Sequence, residues 1–346
     1  MPNLPCFYAP PPGFGNGHIQ TVFPSFFRKE VYLTQQRIRI VTPGDDFLEL
    51  DASLALTARK KQSDGAHGNG GEGKISPPHE PASDRVVIIS HGLEGNSRRK
   101  YVKGMAKMFN EAGCDAIAWN QPGCGGEPAR NPRIYHMGET RDLQSVIDYA
   151  LGVGYTRIGL VGFSMGGNQI LRFAGEAGQG ISPAIKGIVV FSVPCDLPGS
   201  VRVLNKRANR AYMFYFMRTL HPKIRQMHSR FPGLLNIEGL GGMFTFSEFD
   251  GRFTAPLNGF ASSDDYYAKA SSLPLLGRLT VPSLLVNAAD DPFLSASCYP
   301  YAAAEKNPQL FLKVPASGGH VGFVTFNTRN RYWSEQVACE FLQPLL

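Results

Sequence analysis

No apolar run in this 346-residue chain reaches the ~18 residues that a membrane-spanning helix needs. Its start, MPNLPCFYAPPPGFGNG, lacks the charged n-region and apolar h-region of a secretory signal. The six cysteines, Cys6, Cys114, Cys124, Cys195, Cys298 and Cys339, include no CxxC pair and stand at no zinc-ligand spacing from a histidine. That excludes the usual zinc and dithiol frameworks and predicts ordinary buried thiols in a reducing compartment. No segment repeats at a solenoid or propeller period. Glycines cluster at Gly13, Gly15 and Gly17, at Gly123, Gly125 and Gly126, and at Gly162, Gly166 and Gly167. None of these clusters fits GxGxxG, or GxxxxGK followed by Ser or Thr, so they do not read as phosphate cradles. Together the absences predict a soluble cytoplasmic protein that uses neither metal nor cofactor.

What is present is a large apolar fraction, 43%, and a cationic excess of 35 Lys and Arg over 28 Asp and Glu, a net +7. The excess is local. Eight basic residues and no acidic one lie between Arg202 and Arg230: Arg202, Lys206, Arg207, Arg210, Arg218, Lys223, Arg225 and Arg230. Charge confined to one segment does not predict a nucleic-acid partner. It fits a solvated helical face, or a face for transient contact with an anionic membrane surface or an acidic substrate.

KEVYLTQQRIRIVT and FLELDASLAL alternate as strands do and predict an antiparallel pair at one sheet edge. Residues 59–84, rich in Gly, Ser, Pro and charge, predict a flexible surface loop. Beyond it, short apolar strands alternate with helical periods. RVVIIS (85–90), a helix over 98–112, DAIAW (115–119), a helix in GETRDLQSVIDYAL, RIGLVGF, a helix in NQILRFAGEAG and IKGIVVFS follow in turn. PSLLVNA (282–288), a short helix near 297–305, QLFLKVP (309–315) and a helix from about 329 complete the series. The pattern predicts an α/β fold, a mostly parallel, doubly wound sheet with helices on both faces, in a single domain over 1–346. It breaks over about 196–272, where stretches such as RANRAYMFYFMRTL predict a helical cap inserted above the carboxyl ends of the strands.

Residues 161–168, VGFSMGGN, set one serine hydroxyl among glycines where a strand gives way to a helix. Gly162-Phe163-Ser164-Met165-Gly166 fits GxSxG, the nucleophile elbow, whose glycines let the chain turn back sharply and expose the serine Oγ. A serine hydroxyl needs a base to become a nucleophile. Of eight histidines, His67 and His79 fall in the predicted loop and His221 and His228 in the cap. His320, in ASGGHVGF after the last predicted strand, is the candidate base, with glycines expected to leave its ring free to swing. LLVNAADDPF offers two carboxylates to orient that ring. Asp291, before Pro-Phe, is the favoured partner, and Asp290 is the alternative or a brace for the loop. An oxyanion hole would take the backbone N–H of Met165 and, from the loop SHGLEGNS, that of Leu93, with Gly92 permitting close approach and His91 structural.

With these residues the chain resembles the α/β-hydrolase superfamily, and within it the YheT-like branch that includes abhydrolase-domain phospholipase-like and plant embryogenesis-associated proteins. The motifs run in order along nearly the whole chain: GHIQTVFP (17–24), SHGLEGNS (90–97), IYHMGETRDL (134–143), GFSMGGN (162–168), FDGRFTAPLNGF (249–260), NAADDPF (287–293) and GGHVGF (318–323). The resemblance implies an α/β-hydrolase fold and a triad of Ser164, Asp291 and His320. It further implies an esterase-like or lipid-directed serine hydrolase. Some eukaryotic relatives cleave phospholipids and carry an amino-terminal membrane anchor, which this chain is expected to lack. The sequence departs from the family at WNQPGCGGEP (119–128), where Pro122 stands in place of the common Arg before Gly-Cys, so the pocket beside that loop carries no family expectation. His18, Gln20, His136 and Glu139 are expected to tie loops together rather than line the pocket.

The sequence therefore predicts a cofactor-free serine hydrolase that cleaves carboxylic esters through an acyl-enzyme on Ser164. YMFYFM in the cap is expected to form an acyl-binding wall and to favour lipid-like or medium-chain acyl esters. Acyl transfer by the same residues, and a non-catalytic binding protein on the same fold, stay open at this stage.

Overall fold

A computed structural model describes residues 4–56 and 79–346. The loop expected over 59–84 lies, up to residue 78, outside the described residues, as does His67. QRIRIVT forms β1 (Gln36–Thr42), which turns through Gly44 and Asp45, both at positive φ, into β2 (Asp46–Ser53). The remaining strands are β3 (Arg85–Ser90), β4 (Asp115–Trp119), β5 (Arg157–Phe163), β6 (Ile185–Phe191), β7 (Ser283–Val286) and β8 (Leu310–Lys313). All join one sheet in the order β1-β2-β4-β3-β5-β6-β7-β8, antiparallel from β1 to β4 across β2 and parallel from there on.

The helices are α1 (Gly17–Phe27), α2 (Lys100–Glu111), α3 (Arg141–Gly152), α4 (Met165–Ala177), α5 (Leu197–Leu204), α6 (Arg210–Arg230), α7 (Phe246–Phe249), α8 (Ala255–Leu257), α9 (Ser263–Ala270), α10 (Tyr301–Lys306) and α11 (Trp333–Leu342). Side chains alternate across a strand, so the continuous apolar runs of the parallel strands serve two cores. Val86, Ile88, Ile117 and Leu160 share one with α3 and α4. Val87, Ile89, Ala118 and Val161 share the other with α2 and α11. No helix among the described residues is long and apolar enough to cross a membrane.

The edge pair differs from its expectation in two ways. Residues 29–35 add nothing to β1, and β2 is buried along its whole length although it alternates. Its polar positions meet cations instead of water: Arg37 pairs with Asp51 at 2.6 Å and Glu49 at 3.0 Å, and Arg133 with Asp46 at 3.3 Å. The last helix begins at Trp333 rather than near 329 because Glu335 accepts the Tyr332 N–H and fixes the start of the turn.

Between β6 and β7 the chain runs through α5 to α9. Helix α6 buries Met213, Met217, Leu220 and Ile224, one stripe at helical spacing, against Phe246, Phe249 and Phe253. Ile134 and Phe293, from the loops after β4 and β7, belong to the same cluster. That shared apolar contact fastens the inserted helices over the carboxyl end of the sheet.

Candidate active site

Ser164 sits between β5 and α4 at φ 51°, ψ −116°, a conformation that costs a non-glycine residue on the order of 1–3 kcal/mol and persists where its surroundings enforce it. The flanking glycines are the reason the turn closes. A Cβ on Gly162 would stand 2.6 Å from Gly167 Cα, and one on Gly166 would stand 2.5 Å from the Ser90 carbonyl oxygen. The turn therefore packs α4 directly onto the loop after β3.

His320 follows β8, and its Nε2 lies 2.9 Å from Ser164 Oγ. Its Nδ1 lies 2.9 Å from Asp291 Oδ2 and 3.1 Å from Oδ1. A carboxylate can only accept, so this contact puts the imidazole proton on Nδ1 and leaves Nε2 free to accept the serine proton. The Asp291 side chain is fully enclosed, and its Oδ1 also accepts the Phe293 N–H at 2.9 Å. The Phe293 ring packs on the imidazole, with centroids 4.2 Å apart.

Asp290 faces away from this contact, accepting the Gly319 N–H at 2.8 Å and the Ser317 hydroxyl at 2.9 Å. The expectation of a freely swinging histidine is corrected. The His320 N–H donates to Thr21 Oγ1 and the Val321 N–H to Ser192 Oγ, both at 2.8 Å. The loop is pinned from three elements, because the positive-φ turns that its glycines allow aim successive N–H groups at fixed acceptors.

Gly92 and Leu93 follow β3. The Gly92 N–H donates to the Tyr101 hydroxyl at 3.1 Å and the Glu94 N–H to the Tyr135 hydroxyl at 3.2 Å. The N–H groups of Leu93 and Met165 have no hydrogen-bond partner among the described residues, and both residues border one cavity with Ser164 and His320. Glu94, held at φ 55°, receives Lys223 of α6 at 2.8 Å. Lys223 also reaches Cys124 Sγ at 3.1 Å in the QPGCGG loop. A cation from the inserted helices thus meets the turn beside Leu93.

The inserted segment supplies most of the cavity's wall, including Leu197, Val201, Leu204 and Phe249. The expected acyl-binding wall of YMFYFM is corrected in part. Of YMFYFM only Phe216 lines the cavity; Met213 and Met217 are in the core, Phe214 and Tyr215 are exposed, and Tyr212 stacks on His18. A six-residue run spans more than a full helical turn, so it cannot present one face.

Asp250, unassigned by sequence reasoning, also lines the cavity. It opens a π-helical turn over Asp250–Thr254 and accepts the hydroxyls of Thr254 at 2.6 Å and Tyr267 at 2.8 Å. Burial pushes its carboxyl up to about 6.

The other polar candidates mostly tie loops. Gln20 is buried, accepting the Val324 N–H and donating to the Phe14 carbonyl, both at 2.9 Å. Glu139 pairs with Arg141 at 2.8 Å. His136 differs, since it lines the cavity while its Nδ1 accepts the Gly138 N–H at 3.1 Å. Burial lowers its pKa to about 4 and keeps it neutral. His91 is likewise lowered to about 4 by burial; its Nε2 accepts the Gln121 N–H at 3.1 Å. His79 is not in a loose loop: it is buried and bonds the hydroxyls of Tyr149 at 2.9 Å and Tyr155 at 2.8 Å. The early motif GHIQTVFP carried no helix prediction; the structure folds it into α1, whose service to the His320 loop required the third dimension.

A family model for the alpha/beta hydrolase fold matches residues 85–326. The Escherichia coli (strain K12) protein YheT, named as an assumed esterase, is 30% identical over 92% of this chain and 87% of its own. Human phospholipase ABHD3 is 28% identical over 75% of this chain and 64% of its own. Among solved structures, the Pyrococcus furiosus esterase PF2001 superposes with a TM-score of 0.56 at 15% identity, covering 91% of this chain and 92% of that one. That likeness is one of fold.

Proposed function

The chain belongs to the alpha/beta hydrolase fold family, and on that premise we propose that it hydrolyses carboxylic esters through an acyl-enzyme formed on Ser164. The observation that carries the reading is the continuous contact from Ser164 Oγ through His320 to Asp291, opening on a largely apolar cavity. Ser164 Oγ attacks the ester carbonyl while His320 Nε2 takes its proton, and Asp291 holds the tautomer and stabilises the imidazolium. The tetrahedral oxyanion is received by the N–H groups of Leu93 and Met165, each donor worth roughly 10²- to 10³-fold in rate. His320 then protonates the departing alcohol. Water, deprotonated by the same nitrogen, releases the acid.

The apolar wall favours a lipid-like or medium-chain acyl group, with the segment over about 196–272 acting as a cap. The relatives named as esterase and phospholipase are consistent with that substrate class. Six free thiols suit the reducing cytoplasm. The test is labelling with a fluorophosphonate probe and location of the adduct by mass spectrometry. Wild type is expected to carry the adduct on Ser164, and both Ser164→Ala and His320→Ala to lose it. A folded wild type that takes no label removes the reading.

A further inference from the structure

The basic segment and the exposed aromatics of α6 take no part in the chemistry above. Eight cations lie between Arg202 and Arg230, and all but Lys223 are exposed, leaving seven. None of those seven has a carboxylate partner among the described residues, where Lys223 pairs with Glu94. At 100° per residue, Arg210, Phe214, Arg218 and Arg225 project within about 80° of one another, on a flank centred about 95° around the helix axis from the buried methionine stripe. Phe214 is 59% exposed and Tyr215 beside it 49%.

Helix α1 supplies a matching surface. GHIQTVFPSFF contains no Lys, Arg, Asp or Glu. Its inner side, through Gln20 and Thr21, holds the His320 loop. Its outer side exposes Ile19, Val22 and Phe26, spaced i, i+3, i+7 on one stripe, with Phe26 71% and the adjoining Phe27 69% exposed. The two helices meet where His18 Nδ1 contacts the Tyr212 hydroxyl at 3.1 Å, next to Phe293 and His320.

An uncharged apolar stripe on one helix and a face of unpaired arginines interleaved with an aromatic on a helix that contacts it make a composition that binds a bilayer interface: the apolar side chains enter the acyl boundary and the cations meet anionic headgroups. A second copy of the chain would set seven unpaired cations against seven more, and a nucleic acid would leave the apolar stripe in water.

We propose that the outer faces of α1 and α6 form a docking surface for an anionic lipid bilayer, which seats the cavity mouth at the membrane. This goes beyond the ester-hydrolase reading, and because binding is measured without turnover the two can fail separately.

The experiment is co-sedimentation of the full chain with extruded vesicles of equimolar phosphatidylglycerol and phosphatidylcholine, beside vesicles of phosphatidylcholine alone. Wild type is expected to pellet with the anionic vesicles only and to be released by 1 M salt, where the Debye length falls to about 3 Å. Arg210→Glu/Arg218→Glu/Arg225→Glu is expected to weaken partitioning at least about tenfold. Ile19→Ser/Val22→Ser/Phe26→Ser is expected to weaken it without altering turnover of a soluble acetate ester. Wild type that stays in the supernatant overturns the proposal. So does equal binding to both vesicle types, or binding unmoved by either triple variant. Concentration-dependent dimers that the α1 variant dissolves also overturn it, by making the stripe an interface between copies.

Discussion

At the scale of single residues, Ser164, His320 and the Asp290-Asp291 pair stood out because each follows an apolar strand and adjoins turn-forming residues, a signal spread over only a few positions. Asp250 was not legible, because nothing in FDGRFTAP tells a carboxylate on a surface turn from one enclosed by Thr254 and Tyr267. Its enclosure has a measurable consequence. Burial raises the folded-state pKa to about 6, so as pH climbs from the ordinary carboxyl range to that value the unfolded chain gives up this proton and the folded protein keeps it. The unfolded state then binds fewer protons, and this residue's contribution to stability falls until the folded carboxyl has ionised too. Asp250→Asn cannot ionise. Its Tm relative to wild type is expected to rise by a few °C between pH 4.5 and pH 8, read by differential scanning calorimetry in matched buffers. A Tm difference independent of pH would show that the carboxylate is not held against its charge.

At the scale of elements, alternating strands and helices were readable from period alone, since a parallel sheet is bought with continuous apolar runs and each run must be followed by a crossover helix. How elements far apart in sequence serve one another was not readable. Helix α6 reaches the turn beside Leu93 through Lys223 and Glu94, a pair 129 positions apart whose spacing carries no pattern. If Leu93 donates to the oxyanion, this pair sets its geometry from the inserted helices. Lys223→Met leaves the enclosed Glu94 without its cation and is expected to lower kcat on a soluble ester about 10- to 100-fold with little change in KM. Lys223→Met/Glu94→Gln removes the uncompensated charge and is expected to recover part of that loss. Equal effects of the single and double variants on kcat, or a change confined to KM, would separate the pair from the oxyanion turn.

At the scale of the whole molecule, the cavity is made by one loop wall from the sheet and another from the inserted helices. For a series of p-nitrophenyl esters, each methylene that finds this apolar wall is worth about 0.8 kcal/mol, or roughly fourfold, so kcat/KM is expected to climb from acetate to about octanoate and then level off. Val201→Trp, on the cavity wall, is expected to move the plateau to shorter chains. A flat series would deny the acyl group to this cavity. By itself the sequence determined the α/β alternation, the strand-to-helix turn that carries Ser164, the position of His320 after the last strand and the local charge between Arg202 and Arg230, because these are set by neighbours within a few residues. Only the tertiary structure decided which carboxylate meets the imidazole, that the His320 loop is pinned by α1, that YMFYFM splits between core, cavity and solvent, and that His79 and Asp250 are enclosed. The physical reason is common to all four. A side chain's direction depends on the helix or strand that carries it, and its burial on what packs against that element from elsewhere in the chain.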